Sequence, residues 1–354
     1  MLVKLQGGLD GLSVVIPYTD SAYVDRRPSI AVARPGERHG AIDLGRGLGL
    51  HPALAPLHES AGRAERFAVV CGVGVPDHED GVRSHLPSRE FLHRGGRGET
   101  ESWVARLLRF EGMTDRAAWS FESGDQPMVE GVAISRPVVA VGAGAASARA
   151  DAWSPERPKP GRPGVSPQWA DIDWMSSADR LARGYPEGRL GRSLAATADM
   201  IRADRGLRLV VADHDGYDTH VDQGDGRGGT LTRKLDRLAR AIAAFWTDIS
   251  ERDPVDGPVT VIVITEFGRA IDENDSGGTE HGRGGVALAI GDEVVGGVHG
   301  DLPSLVADEV WPVSVDIRRV LADAVASHGF RPWRGGIFPG LPLPNRSLGL
   351  LLSP

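Results

Sequence analysis

The residues best suited to chemistry follow an apolar run at residues 259–265. This run is mostly β-branched, which is typical of a strand buried on both faces of a parallel sheet. Glu266 and Arg269 come directly after it, and His281 follows in a Gly-rich loop. Because ligands in open α/β sheets bind beyond the carboxyl ends of strands, Glu266 and His281 are candidate metal ligands and Arg269 places a guanidinium beside them. Alternatively, Glu266 and Arg269 form a surface ion pair and His281 is an ordinary loop residue.

A second group of polar residues follows the apolar run at residues 207–212. Asp218 and His220 are separated by one residue, so in an extended segment their side chains point the same way and could bind one metal ion. The alternative is that both side chains only satisfy backbone groups at the end of a strand.

Two further candidates, Asp10 and Ser84, come from the first quarter of the chain. Asp10 follows a predicted strand, Leu2–Leu5, and a pair of glycines that allow a tight turn. It is a candidate for the same edge of the sheet, or else a plain turn aspartate. Ser84 precedes a predicted helix at residues 87–92. It is either an N-cap, or a nucleophile or anion contact at the N-terminus of that helix.

The elements that must position these residues alternate between strands and helices. Apolar runs predict strands at residues 2–5, 14–16, 67–73, 137–141, 207–212, 259–265 and 286–290. Helical spacing predicts helices at residues 53–63, 87–92, 101–109, 176–183, 191–205, 230–252 and 316–328. We therefore predict a single α/β domain over residues 1–354, with a Pro- and Gly-rich surface segment at about residues 151–171.

The composition excludes several classes of function. The 354 residues include 40 basic and 48 acidic side chains, a net charge of −8, which argues against a general nucleic-acid or anionic-membrane binder. No apolar run reaches the length of a membrane span. The chain has one cysteine, Cys71, in an apolar run, so a disulfide within the chain is excluded and an inert buried thiol is predicted.

Five short motifs occur in order along the chain. They are Gly7-Gly8-Leu9-Asp10-Gly11-Leu12, Arg83-Ser84-His85, Tyr217-Asp218-Thr219-His220, Glu266-Phe267-Gly268-Arg269 and Gly277-Gly278-Thr279-Glu280-His281-Gly282. This series resembles the DUF1501 family, whose members carry GG-x-DGL, RSH, GWDTH, EFGR and GG-x-DH signatures. The resemblance extends to residues 51–54 and 337–340, so it covers essentially the whole chain.

The resemblance implies the fold of the alkaline phosphatase/sulfatase-like superfamily, in which DUF1501 is placed. That fold is a three-layer α/β arrangement, with a mostly parallel central sheet and helices on both faces. It also implies a metal site at the carboxyl edge of the sheet and a nucleophile near Ser84. The implied metal ligands are Asp10, Asp218, His220, Glu266 and His281.

The implied activity is metal-dependent hydrolysis of phosphate or sulfate esters, with one or two divalent ions (Zn, Mn or Ca) and a small anionic ester as substrate. Ser84 would be the nucleophile or an anion contact, His85 a base or further ligand, and Arg269 a bidentate oxyanion clamp. At the superfamily's Asp-His pair this chain has Glu266 followed by Phe267, so one usual ligand is missing. This departure motivates an alternative, a non-catalytic metal- or ligand-binding protein that retains the fold.

The family also bears on where the protein is expected. Its members usually carry an N-terminal twin-arginine export signal, whereas this sequence begins directly in a predicted strand, Leu2–Leu5. We therefore expect either a cytoplasmic protein or an exported one whose leader is absent from this sequence.

Overall fold

The computed structural model describes residues 1–62, 65–76, 83–113, 117–122, 172–334, 336–342 and 348–351. The strand predicted at 137–141 and the Pro- and Gly-rich segment predicted at 151–171 lie outside these residues. The prediction of a single domain over the whole chain stays a prediction.

The described residues form eleven strands in two sheets. In chain order they are β1 (Leu2–Leu5), β2 (Val15–Ile16), β3 (Ile42–Gly45), β4 (Leu48–Leu50), β5 (Phe67–Gly74), β6 (Ala118–Phe121), β7 (Leu209–His214), β8 (Thr260–Thr265), β9 (Gly285–Gly291), β10 (Gly297–His299) and β11 (Val315–Asp316). The central sheet has the order β10-β5-β9-β8-β1-β7-β6, and β11 also pairs with β5. Strands β2, β4 and β3 form a small antiparallel sheet.

Strand β1 lies in the middle of the central sheet, parallel to both of its neighbours. Leu2 is in register with Val211 of β7 on one side and with Ile262 of β8 on the other. Strand β9 runs antiparallel to β5 and β8, and Gly285 at its start pairs with Val73 near the end of β5. The residues that lead into β9 therefore lie at the same edge as the carboxyl ends of its neighbours, although they precede a strand rather than follow one.

Nine α-helices are described around these sheets. They are α1 (Gly11–Val14), α2 (Ser21–Arg26), α3 (Ala55–Ser60), α4 (His85–Arg94), α5 (Trp103–Phe110), α6 (Ser177–Ala182), α7 (Arg189–Arg202), α8 (Thr230–Thr247) and α9 (Ile317–Ser327). No helix in the described ranges is both long and apolar enough to cross a membrane.

Alternate residues of the central strands enter two separate hydrophobic cores. In β8, Val261 and Val263 pack in the core that contains α3, α7 and α8, whereas Ile262 and Ile264 pack in the core that contains α4, α5 and α9. This alternation follows from the two-residue period of a strand. Helices thus cover both faces of a mostly parallel sheet, as the resemblance to DUF1501 implied. The finer assignment to an alkaline phosphatase-like core stays a prediction.

Most predicted helices differ from the observed ones by one to three residues at an end, and two also differ in the type of helix. The helix predicted at 230–252 ends as an α-helix at Thr247 and continues as a π-helical turn, Asp248–Arg252, closed by the Asp253 N–H donating to the Asp248 carbonyl at 3.0 Å. The buried Asp248 carboxylate accepts hydrogen bonds from Arg183 and Tyr185 there. The helix predicted at 53–63 begins with a 3₁₀ turn, Pro52–Leu54, and ends at Ser60.

Candidate metal centre

The loops that follow three parallel strands and the loop that leads into β9 meet at one edge of the sheet. Glu266 follows β8 directly, and Asp218 lies four residues beyond the end of β7. His85 is the first residue of α4, and His281 lies four residues before β9, whose antiparallel direction brings it to this edge. An isolated bridge between His281 and Arg269 joins the two sides of the loop between β8 and β9.

Three imidazoles point their Nε2 atoms at the Asp218 carboxylate. His281 Nε2 and His220 Nε2 each lie 3.1 Å from Asp218 Oδ1, and His85 Nε2 lies 3.4 Å from Asp218 Oδ2. The Nε2 atoms of His220 and His281 are 3.0 Å apart. We call these four residues, His85, Asp218, His220 and His281, the histidine cluster.

The other ring nitrogen of each imidazole contacts an oxygen that accepts hydrogen bonds. His85 Nδ1 lies 2.6 Å from Glu266 Oε1, and His220 Nδ1 lies 3.1 Å from Glu280 Oε2. His281 Nδ1 lies 2.8 Å from the backbone carbonyl oxygen of Arg83, which can only accept. These partners assign the proton to Nδ1 and leave the Nε2 lone pairs facing Asp218. Between His220 and His281 two lone pairs then face one another, which requires a cation or an added proton.

The cluster could hold a metal ion. Ligand atoms of His85, Asp218 and His281 all lie within 4.8 Å of one another, and the side chains are partly open to solvent. Metal-ligating histidines almost always donate their other N–H to a carboxylate or a carbonyl, as all three do here. Imidazole nitrogens with one carboxylate suit zinc and related transition metals better than calcium, which prefers oxygen ligands throughout.

Asp218 is held as a carboxylate by its neighbours. Burial opposes its ionisation, but the hydrogen bond and positive charge of Arg269, with the neighbouring imidazoles, outweigh that effect and lower the pKa of Asp218. Its side chain remains 43% exposed, so one side of the carboxylate faces solvent. An ionised, accessible carboxylate is the form that binds a cation.

Arg269 takes a different place from the oxyanion clamp predicted from the sequence. Its guanidinium is fully buried and donates to the backbone carbonyls of Gly8 and Thr279, at 2.9 Å each. It also donates to the carbonyls of Gly7 and Tyr217 and to the Asp218 carboxylate. Arg269 therefore ties together the loops after β1, β7 and β8 and orients Asp218, and it presents no open edge to an external anion.

Glu266 lies behind His85 rather than among the gathered ligand atoms. Its buried carboxylate accepts hydrogen bonds from the Gly7 N–H at 2.8 Å and from Arg89 Nε, in addition to the contact with His85. With these three partners Glu266 orients the His85 ring. The reading of His85 as a further ligand, left open by the sequence, fits this geometry.

Asp10 is likewise set apart from the gathered ligand atoms. Its carboxylate is buried and accepts from Arg27 Nη1 at 2.6 Å and Nη2 at 3.1 Å, and also from Ser13 and Gln223. Burial opposes its ionisation, but the charge and hydrogen bonds of Arg27 outweigh it and lower the pKa of Asp10. Neither Arg27 nor Gln223 was singled out in the sequence. The position of Gln223, three residues after His220, was the one available signal.

Ser84 is the N-cap residue of α4, next to His85. Within the described residues, the Ser84 side chain makes no capping hydrogen bond to α4, and the residue is exposed. The hydroxyl is therefore available to a ligand at the helix N-terminus, which keeps the predicted roles of nucleophile and anion contact open.

Comparison with known proteins bears on the second half of the chain. Residues 177–334 match the model of the family described as "Protein of unknown function (DUF1501)". The match supports the resemblance seen in the motifs. It contains Asp218, His220, Glu266 and His281 but neither Asp10 nor His85, and the family's description assigns no activity. No match was found among curated proteins or among solved structures. The alkaline phosphatase/sulfatase-like superfamily stays a prediction.

Proposed function

We propose that this protein is a metal-dependent hydrolase of phosphate or sulfate esters. The observation that carries the proposal is the histidine cluster, in which three Nε2 atoms face one carboxylate and each Nδ1 is fixed by an oxygen acceptor. A surface ion pair is satisfied by a single contact, so a purely structural role for Asp218 would not need three imidazoles around its carboxylate. The site's position at the carboxyl edge of a mostly parallel sheet adds support.

His85, Asp218 and His281 would hold the metal, with His220 as a fourth ligand. Zinc is the first choice by donor type, manganese the second and calcium the last. When bound, a divalent ion would stabilise the charge that develops on the transferring group and would make a water molecule more acidic.

The chain itself offers two groups for the anionic ester. The Ser84 hydroxyl lies at the N-terminus of α4, where partial positive charge favours an anion. The Arg89 side chain is 48% exposed even though it donates to Glu266, so part of its guanidinium remains open to a substrate oxygen. Arg89 thus takes the role that the sequence assigned to Arg269.

The test begins with protein stripped of metal by a chelator and reloaded separately with zinc, manganese or calcium. We expect hydrolysis of an aryl phosphate or aryl sulfate in the zinc form. Asp218→Asn should reduce it by at least about 100-fold, because the ligand set loses its only charged member. The matched control is His299→Gln, which changes an imidazole on β10 that contacts the Val295 carbonyl.

Ser84→Ala separates the two roles of the hydroxyl. Loss of all turnover assigns the nucleophile to Ser84, whereas a decrease of about tenfold with a raised KM assigns an anion contact. If no metal form cleaves either ester class, the hydrolase proposal fails.

The runner-up is a metal- or ligand-binding protein without turnover. It is favoured by one observation: two of the predicted ligands, Asp10 and Glu266, are engaged by Arg27 and by Arg89 with His85. Fewer ligands then remain than the usual two-metal site requires. Tight zinc binding without cleavage of any ester would favour this function. If zinc, manganese and calcium all fail to bind, both the metal-dependent hydrolase and a metal-binding role are excluded.

A further inference from the structure

A buried polar network lies directly behind the histidine cluster. We call it the Gln223 network; its members are Asp10, Ser13, Arg27, Thr219, Gln223 and Thr279, all at most 2% exposed. Thr219 precedes His220, and Thr279 lies two residues before His281. The network therefore joins the two loops that carry these imidazoles.

The Gln223 amide makes four hydrogen bonds that fix its orientation. Its Nε2 donates to Asp10 Oδ2 at 2.6 Å and to Ser13 Oγ at 3.1 Å. Its Oε1 accepts from Thr219 Oγ1 at 2.7 Å and from Thr279 Oγ1 at 3.1 Å. A flipped amide would place its oxygen against the Asp10 carboxylate, so the ion pair of Asp10 with Arg27 determines which way the amide points.

The backbones of the two loops are paired beside this amide. The Thr279 N–H donates to the Thr219 carbonyl at 3.1 Å, and the Gln223 N–H donates to the Gly277 carbonyl at 2.8 Å. Gly278 packs so closely on His220 that a β-carbon there would collide with the His220 backbone carbonyl. The loops thus approach one another over a short distance, and the side chain of Gln223 bridges them.

We propose that Gln223 is a positioning residue for the metal centre, because it sets the separation of His220 and His281 by holding Thr219 and Thr279 on one oxygen atom. The role of Gln223 in metal binding rests on the proposed function, whereas its hydrogen bonds to the two loops do not depend on it. Asp10 then serves the site as the buried anion that orients Gln223, and not as a ligand.

The first experiment uses the metal-free protein and reads the imidazoles directly. Gln223→Met keeps the length of the side chain and removes both its donors and its acceptor. The probe is the ring-nitrogen NMR shifts of the histidines at one fixed pH. We expect the signals of His220 and His281 to shift or broaden, while the signals of the distant His299 stay unchanged. Gln6→Met is the matched control, because Gln6 also donates to a carboxylate, that of Asp213.

The second experiment measures cobalt binding by absorption, since the visible bands of Co²⁺ report both affinity and ligand geometry. Gln223→Met should weaken Co²⁺ binding by about tenfold and alter the band shape, as residues supporting a ligand shell commonly do. Thr279→Val, which keeps the shape of the side chain and removes only the hydroxyl, should show a smaller change in the same direction. If Gln223→Met fails to fold, Thr279→Val still tests the proposal.

The outcomes separate the two proposals. Unchanged His220 and His281 signals, in folded Gln223→Met or in Thr279→Val, would overturn the positioning role even if the wild-type protein binds cobalt and cleaves esters. Shifted signals in a protein that binds no metal would support the positioning of the rings and defeat the hydrolase.

Discussion

Two aspartates at the same edge of the sheet show what separates a supporting carboxylate from one that could bind a metal. Asp10 and Asp218 each face a buried arginine, Arg27 and Arg269, and each has a lowered pKa for which that arginine is a main cause. Asp10 is 1% exposed and is surrounded by donors. Asp218 receives its arginine from behind and keeps its other side open to three imidazoles and solvent. The difference lies in the open side and not in the charge.

Arg27→Met should have the largest effect on the buried side of this comparison. It would leave the Asp10 carboxylate buried without its cation, so we expect the free energy of unfolding to fall by about 3–5 kcal/mol. Urea denaturation at pH 7 measures this. The control, Arg240→Met, removes an exposed pair with Asp236 and should cost about 0.5 kcal/mol or less. Equal, small effects of both variants would show that Asp10 does not depend on Arg27.

The next largest predicted effect is on the pH dependence of stability, and it comes from His51, a buried residue near Asp10. Burial lowers the pKa of His51 to about 4, although the charge of Asp10 partly offsets this. Between about pH 6.5 and pH 4 the unfolded chain therefore binds a proton that the folded chain does not, and stability falls as the pH falls. The loss amounts to about 3 kcal/mol across this window.

His51→Asn tests this contribution. His51 Nδ1 accepts from the Ala53 N–H at 3.1 Å as the N-cap of the 3₁₀ turn, and an asparagine can keep that bond. The variant should take up about one proton fewer on unfolding between pH 6.5 and 4, measured as the slope of the unfolding free energy against pH. An unchanged slope would mean that His51 titrates normally.

Glu266→Gln addresses the open side of the comparison and should have the smallest effect in free energy. It keeps an acceptor for His85 but removes the charge that strengthens the Nδ1–H bond, so zinc affinity should fall by about 10–100-fold. Calorimetric titration with zinc measures this, with Glu111→Gln, which alters the partner of the exposed Arg331, as control. Unchanged affinity would remove Glu266 from the support of His85.

Much of this arrangement follows from local sequence pattern. The strand Leu2–Leu5 was predicted without error, and β8 differs from its prediction by one residue. Both strands are short apolar runs with clear ends. Asp218 and His220 were predicted to point the same way, and their side chains contact each other within the histidine cluster. These features depend on the period of the chain and on where apolar residues stop.

The remainder depends on tertiary distances that no local pattern contains. Nothing in the sequence pairs Asp10 with Arg27 rather than with a metal, because the pairing depends on how α1, β2 and α2 fold between them. Arg269 was predicted to be an exposed oxyanion clamp. Its burial was not predictable, because the four backbone carbonyls that it binds come from three separate loops. The direction of β9 was also invisible, since a buried strand has the same apolar composition whichever way it runs.

The antiparallel course of β9 also affects how the protein could change. Since Thr265 and Gly285 lie at the same edge of the sheet, residues 266–284 form a loop that leaves the sheet and returns to it at that edge. Residues added within this loop would leave the pairing of the strands unchanged, but additions at Ser276 or Gly277 would break the hydrogen bonds that their carbonyls accept from the Asp222 and Gln223 N–H groups. A change in the length of this loop would therefore act on the separation of His220 and His281 while the sheet stays unchanged.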